Sequence, residues 1–287
     1  MKNFKTALII LFAVVIIILV FFLVKNIKNN SNQSQNDKMI SEINFMDSKI
    51  TLLLNGVNNI TLENYKITVT RTSTNSNQSS TSSAGTSSIQ NGQAEKTNET
   101  PEQYGLEAEG ILTGNSDVDW NEIKNEVETL YAIVPTMTLD LYNMNINQED
   151  ILNFNKELDD LTISIKNEDK NNTLIKLANL YRYLPAYASN FSDDLNYISL
   201  LETKSNVFKT YVFVNIDNWN EATSNINRAI ESYSRALNNI QDNRNYDTNK
   251  VYIILNEIQS AVNIKDKDVF LIKYKNFIEE TEQQSNK

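Results

Sequence analysis

The sequence predicts an all-α fold in which two internally duplicated three-helix units form a helical bundle behind an N-terminal transmembrane helix. Three observations predict this fold. An unbroken apolar run occupies residues 7–24, and from residue 116 onward apolar residues recur mainly at three- and four-residue steps. In addition, the segment 120–184 returns with similar residues over 219–281, so the second copy starts 99 residues after the first.

The apolar run Ala7–Val24 is long enough, as a helix, to cross most of the hydrocarbon core of a bilayer. A cleaved signal peptide would have a shorter run and small residues at a cleavage site, whereas this run ends beside Lys25 and Lys28. We therefore expect residues 1–28 to form an uncleaved signal anchor. Lysines flank the run on both sides, but the polar and acidic remainder is easily translocated, which favours a cytoplasmic N-terminus and an extracytoplasmic domain.

The composition excludes several classes of function. The formal net charge of −10 repels nucleic-acid phosphates, and no basic patch with interleaved aromatic residues offsets it. The chain has no histidine and no cysteine, which removes the usual general base, the commonest transition-metal ligand, thiolate chemistry and disulfides. We therefore expect a protein that is not an enzyme, with no catalytic residues, no cofactor, no metal and no nucleic-acid partner.

Residues 29–70 form the juxtamembrane segment, and its first part has the apolar seam of an amphipathic helix. The seam residues recur at alternating four- and three-residue steps: Met39, Ile43, Met46, Ile50, Leu53 and Val57. Such a helix either pairs two anchored chains into a homodimer through residues 39–57 or packs on the downstream domain of its own chain. The second interpretation is favoured, because the seam covers fewer than three heptads and its flanking charges are weakly patterned.

Two short stretches have strand character on either side of a polar segment. Tyr65, Ile67 and Val69 alternate with polar residues, and Leu106–Leu112 is a second β-compatible stretch. Residues 71–104 are rich in Ser, Thr and Asn with hardly any apolar residue, so we expect a disordered linker. The stretches either pair as a minor β-hairpin around this insert or belong to a simple linker, and the sequence leaves both interpretations open.

We expect residues 105–287 to form the duplicated helical domain, with repeats at about 116–190 and 216–282. Ser116 is the expected N-cap of the first helix, and Pro135 predicts a kink or break in it. Asp169 and Asp268 are the matched acids that precede the third helix of each repeat, where each would act as N-cap. The duplication also equates two pairs of core residues: Leu158 with Ile258, and Leu177 with Tyr274.

The densest aromatic stretch of the chain joins the two repeats and is the candidate surface for a partner or ligand: Tyr181, Tyr183, Tyr187, Phe191, Tyr197, Phe208 and Tyr211. Two repeats that meet here could leave an aromatic-lined groove for a peptide, a glycan or a small apolar ligand. Rings at helical spacing usually pack between helices, however, which makes core packing the competing interpretation. Alternatively, Tyr183 and Tyr187 mark only an exposed rim near Pro185.

Together these features predict a membrane-anchored, extracytoplasmic helical binding or scaffold module that contacts an unknown protein or envelope component. The first alternative is an extracytoplasmic ligand-binding or sensor domain. A carboxylate-dependent cell-wall-active enzyme is a third and disfavoured alternative, because neighbouring acids in the sequence do not face each other on a helix.

Overall fold

The computed structural model describes residues 34–58, 60, 67–70, 103–106, 111–112, 117–144, 146–239 and 246–285. The predicted transmembrane run Ala7–Val24 and most of the predicted linker 71–104 lie outside the described residues. Within the described part of the chain, no helix combines the length and apolar character that a membrane crossing requires.

The helices follow the chain in a simple order. They are α1 (34–56), α2 (Trp120–Asn143), α3 (Gln148–Lys166), α4 (Lys170–Tyr181), α5 (Tyr183–Phe191), α6 (Leu195–Asn215), α7 (Trp219–Asn239), α8 (Tyr246–Ile264) and α9 (Lys267–Ser285). The chain divides into two units, and the first unit joins α1 to all the helices from α2 onward. The described part of this unit is an all-helical bundle, as the sequence predicts.

The second unit, Thr61–Gly114, contains two short strands. Strand β1 (Ile67–Thr70) pairs antiparallel with β2 (Gln103–Leu106), so that Ile67 lies opposite Leu106 and Thr70 opposite Gln103. The sequence places the second strand at Leu106–Leu112, whereas the structure places it earlier and leaves residues 111–112 in a turn. Residues 103–104, which the sequence assigns to the linker, therefore belong to a strand.

Helix α1 packs on other helices of its own chain. All six residues of its predicted seam are completely buried. Polar contacts join it to α2, α4, α6 and α9: Lys49 to Glu126, Asp47 to Tyr181, Asn44 to Tyr197 and Asn55 to Tyr274. The seam that a homodimer would use is thus covered by helices of the same chain. A domain that starts at residue 105 would leave out α1, although α1 belongs to the same unit as α2–α9.

The helices after α1 form two sets with matching buried faces. The buried face of α2 returns 99 residues later in α7, where Ile123, Val127, Leu130, Val134 and Met137 correspond to Ala222, Ile226, Ala229, Tyr233 and Ala236. The buried face of α3 returns 97 residues later in α8, where Phe154, Leu158, Leu161 and Ile165 correspond to Val251, Leu255, Ile258 and Val262. Leu158 therefore corresponds to Leu255 and not to Ile258, whereas Leu177 and Tyr274 keep their predicted match.

The turn between the second and third helices of each set shows the same offset of 97 residues. Glu168 and Lys265 have positive φ angles of 56° and 58°, and each is followed by an aspartate that begins the next helix. Asp169 accepts a hydrogen bond from the Asn172 amide at 3.1 Å, as predicted. In the second set Asp266 performs this role for the Val269 amide at 2.9 Å. The predicted cap Asp268 instead lies inside the first turn of α9.

Two further details of α2 correct the sequence analysis. The side chain of Asp119 accepts hydrogen bonds from the amides of Asn121 and Glu122, so Asp119 is the N-cap and not Ser116. Pro135 does not break the helix, which continues to Asn143. Tertiary contacts along both sides of the proline keep α2 in place, since Val134 and Met137 are both buried.

Candidate functional site

The structure divides the predicted aromatic surface into a core cluster and the wall of a groove. Tyr181, Phe208 and Tyr211 are at most 2% exposed. Phe208 and Tyr211 pack against rings of α9, and Tyr181 packs against Phe208. The centroids of Tyr181 and Phe208 lie 4.6 Å apart, and those of Tyr211 and Tyr274 lie 5.0 Å apart. These three predicted residues therefore pack the core between the two helix sets and present no surface to a partner.

The remaining predicted aromatic residues lie elsewhere. Phe191, at the end of α5, is also buried. Tyr197 is half-buried, and its hydroxyl donates a hydrogen bond to Asn44 of α1 at 2.8 Å. Tyr183 and Tyr187 lie apart from the core cluster and line a groove, so only two of the seven predicted residues contribute to a candidate ligand site.

A buried ionic network lies beside the core cluster. Lys204 of α6 is completely buried, and its Nζ lies 2.5 Å from Oδ1 of Asp47 and 3.1 Å from Oε1 of Glu282. The hydroxyl of Tyr181 donates to the same Asp47 oxygen at 2.7 Å. The sequence analysis did not identify this network, although one feature of the sequence indicates it. Lys204 interrupts the apolar stripe that contains Leu201 and Phe208, and a buried lysine needs carboxylate partners.

Two members of this network, Lys204 and Tyr181, have raised pKa values. Burial lowers the pKa of Lys204, but the negative charges of Asp47 and Glu282 outweigh burial and hold that pKa above its ordinary value of 10.5. Burial, followed by the charge of Asp47, raises the pKa of Tyr181 well above its ordinary value of 10.0. Lys204 therefore stays charged and Tyr181 neutral near neutral pH, and their contacts with Asp47 and Glu282 join α1, α4, α6 and α9.

A groove of about 570 Å³ opens between the start of α3 and helix α5. Its volume falls in the range of small-molecule sites, which is about 300–1,000 Å³. It lies within the first helix set, whereas the sequence analysis expects a groove where the two repeats meet. Its lining is mostly polar: Ile146, Asn147, Asp150, Asn153, Arg182, Tyr183, Ala186, Tyr187 and Asn190.

Ring packing and hydrogen bonds hold the tyrosine wall of the groove in place. Tyr183 and Tyr187 lie one turn apart on α5, and both contact the ring of Phe154 from α3 edge-on at 5.7 Å. The Arg182 guanidinium lies 4.8 Å from the Tyr183 ring centroid and also donates to the Tyr183 hydroxyl at 2.9 Å. The Tyr187 hydroxyl donates to the backbone carbonyl of Asp150 at 3.3 Å, and burial raises the pKa of Tyr187.

This arrangement offers polar contacts and leaves little ring surface for stacking. Tyr183 is 6% exposed and Tyr187 is 2% exposed, so a ligand meets their edges only. The accessible groups are the Arg182 guanidinium, the Asp150 carboxylate and the amides of Asn147, Asn153 and Asn190. Sequence reasoning missed these residues because polar residues on different helices have no periodicity that links them.

The described helical unit is thus an all-helical bundle with one polar groove as its candidate ligand site. Comparison with protein families, with curated proteins and with solved structures finds no significant match to the chain. Among the residues that the structure describes, no group of three or more His, Cys, Asp or Glu side chains is placed to hold a metal ion.

Proposed function

We propose that this protein is a membrane-anchored, extracytoplasmic binding module and that the groove beside Tyr183 and Tyr187 is its ligand site. In this proposal Ala7–Val24 is the anchor, and the two matched helix sets descend from an internal duplication. The observation that carries the proposal is the groove itself. Its walls are fixed by contacts between α3 and α5, and its polar groups point to recognition by hydrogen bonds and charge.

Binding accounts for the groove better than catalysis does. Asp150 is the only carboxylate among the lining residues, whereas carboxylate enzymes hold two acids in one cleft. The Tyr187 hydroxyl is already engaged with a backbone carbonyl, and its raised pKa makes it a poor proton donor at neutral pH. The groove therefore favours a ligand-binding role, which includes the alternative of an extracytoplasmic sensor domain.

A second candidate function is attachment of a protein partner, as expected of a scaffold. It is supported by exposed apolar side chains on the outer faces of α2 and α3: Leu139 at 59%, Leu152 at 55% and Ile163 at 56% exposure. Exposed apolar residues that share one face mark protein contacts more often than isolated ones do. Leu139→Ser together with Leu152→Ser would weaken such a contact and leave groove binding unchanged.

The proposed groove is tested by filling it. Ala186 is exposed and lines the groove, so Ala186→Trp should occupy the space without disturbing the core. Ser189→Trp is the matched control, because Ser189 is exposed on the same helix but does not line the groove. We would screen the full chain in neutral detergent by thermal shift against peptides, oligosaccharides and phosphorylated or carboxylated small molecules. A ligand should lose its stabilising effect in Ala186→Trp and keep it in Ser189→Trp. Equal effects in both variants would contradict the proposal.

A further inference from the structure

Two cations lie level with each other on the α6–α7 hairpin. These helices pack together and are joined by the short turn 216–218, which makes them antiparallel. The ion pair of Glu202 with Arg235, at 2.5 Å, fixes their register. Lys209 lies seven residues after Glu202, and Arg228 lies seven residues before Arg235. Seven residues are about two helical turns, so Lys209 and Arg228 occupy the same facing stripes and sit side by side.

Arg182, a lining residue of the groove, is the third cation of this cluster. It follows Tyr181, whose ring packs against Phe208, and Phe208 directly precedes Lys209. The charges of Arg182 and Arg228 both act on Lys209. After burial, which is the larger cause, they lower the pKa of the Lys209 amine. Arg182, Lys209 and Arg228 are called the basic cluster below.

The basic cluster lacks the carboxylate partners that several cations have elsewhere in the described bundle. Within the described residues, Lys176, Lys204 and Lys267 each lie within 4.0 Å of a carboxylate oxygen, whereas no member of the basic cluster does. The chain as a whole carries a net charge of −10, so the positive charge of the basic cluster is opposite in sign to the net charge of the protein. Like charges held together repel each other, and a bound anion would relieve that repulsion.

We propose that the basic cluster binds the phosphate group of a small soluble phosphorylated ligand whose polar body occupies the groove. This inference rests on the proposed function of the groove, since Arg182 belongs to both sites. Three cations suit a dianionic phosphate better than a monoanionic carboxylate, and guanidinium groups bind phosphate oxygens in pairs. Asp150, on the lining of the groove, disfavours a second anionic group. The body of the ligand is therefore neutral and rich in hydrogen-bonding groups that match the asparagine amides.

The first experiment measures binding to the full chain in neutral detergent by titration calorimetry. The probes are glucose 6-phosphate, inorganic phosphate, glucuronate and glucose. Glucose 6-phosphate should bind best, inorganic phosphate and glucuronate more weakly, and glucose least. Lys209→Gln and Arg228→Gln should each weaken binding of both phosphate probes about tenfold or more. Lys166→Gln, an equal change of charge at an exposed site at the end of α3, is the control and should have little effect.

Three outcomes separate this inference from the groove proposal. If the Ala186→Trp variant loses the preference for glucose 6-phosphate but still binds inorganic phosphate, both the groove and the phosphate site are supported. If Lys209→Gln binds both phosphate probes as the unchanged protein does, or neither probe binds the unchanged protein, the phosphate site is refuted. In that case the groove proposal would still be supported if an uncharged ligand binds the unchanged protein and Lys209→Gln but does not bind Ala186→Trp. A preference for phosphatidylglycerol vesicles over phosphatidylcholine vesicles that Lys209→Gln abolishes would refute a soluble ligand. Lys209→Gln should melt no lower than the unchanged protein, because it removes repulsion.

Discussion

Removing α1 from the chain should abolish native folding of the remaining helices. Seven apolar side chains in α1 and the turn that directly follows it are completely buried: Met39, Ile43, Met46, Ile50, Leu53, Leu54 and Val57. Full burial of such a side chain contributes about 1.5–3 kcal/mol, so the helix contributes on the order of 10–20 kcal/mol of burial. That range equals or exceeds the roughly 5–15 kcal/mol of a typical folded domain, and loss of α1 therefore removes the stability of the bundle.

The measurement compares two soluble chains, residues 29–287 and residues 105–287, by circular dichroism and urea unfolding. The first should show a cooperative transition, and the second should show none, although a domain boundary at residue 105 implies the opposite. A peptide of residues 34–60, added in trans, should restore the transition. Ile50→Asp in the peptide should prevent the rescue, because Ile50 is completely buried, whereas Leu52→Asp should permit it, because Leu52 is 43% exposed. An equally cooperative transition for residues 105–287 alone would refute the reasoning.

Four further perturbations test other parts of the structure. Asp47→Ala should cost about 3–5 kcal/mol in urea unfolding, because it leaves Lys204 buried with a weaker partner set; combining it with Lys204→Met should recover part of this loss. Gly56→Ala places a Cβ 2.6 Å from Cδ1 of Ile123 and should destabilise by about 1–3 kcal/mol, and Ile123→Val, which removes that atom, should make the double variant less costly than the sum. The folded-state pKa values of Lys204 and Tyr181 are raised, so their contribution to stability is present below the ordinary values of 10.5 and 10.0 and is lost as the pH rises above them; the unfolding free energy should therefore fall from about pH 10 upward, and the buried Tyr181 should ionise only on unfolding. Protease added to intact protoplasts should digest the helical domain, and full protection would reverse the proposed orientation.

The sequence predicts the helices well because burial enforces their apolar periodicity. Ile123, Val127 and Leu130 repeat at helical steps that only a buried face requires, and the structure buries all three. The register between repeats is harder to predict, because a helix that shifts by three residues still presents an apolar face. This is why Leu158 matches Ile258 by eye, whereas the 97-residue offset of the buried faces and of the turn matches it with Leu255. The turn residues Glu168 and Lys265 give the better alignment, since a positive φ angle is a local constraint.

The position of α1 and the groove lie beyond what periodicity reveals. An apolar seam shows that a helix is buried but not which surface covers it, so residues 39–57 were compatible with a homodimer and with the chain's own domain. The groove depends on residues from α3 and α5 that are distant in sequence, such as Asp150 and Tyr187. The basic cluster depends on the register of the α6–α7 hairpin, which the ion pair between Glu202 and Arg235 reveals only in three dimensions.

If Ala7–Val24 is the membrane anchor that we propose, the place of α1 in the bundle would limit how far the proposed ligand site can lie from the membrane. Only residues 25–33 separate the apolar run from α1, and nine residues span at most about 30 Å when fully extended. The inserted unit Thr61–Gly114 adds no reach, because it follows α1 and its two ends return to the same bundle. A cut within that insert would not release the domain either, since α1 would hold the remaining helices by packing alone. In a protein anchored in this way, α1 would begin within about 30 Å of the bilayer, and the ligand of the groove would be met close to the membrane.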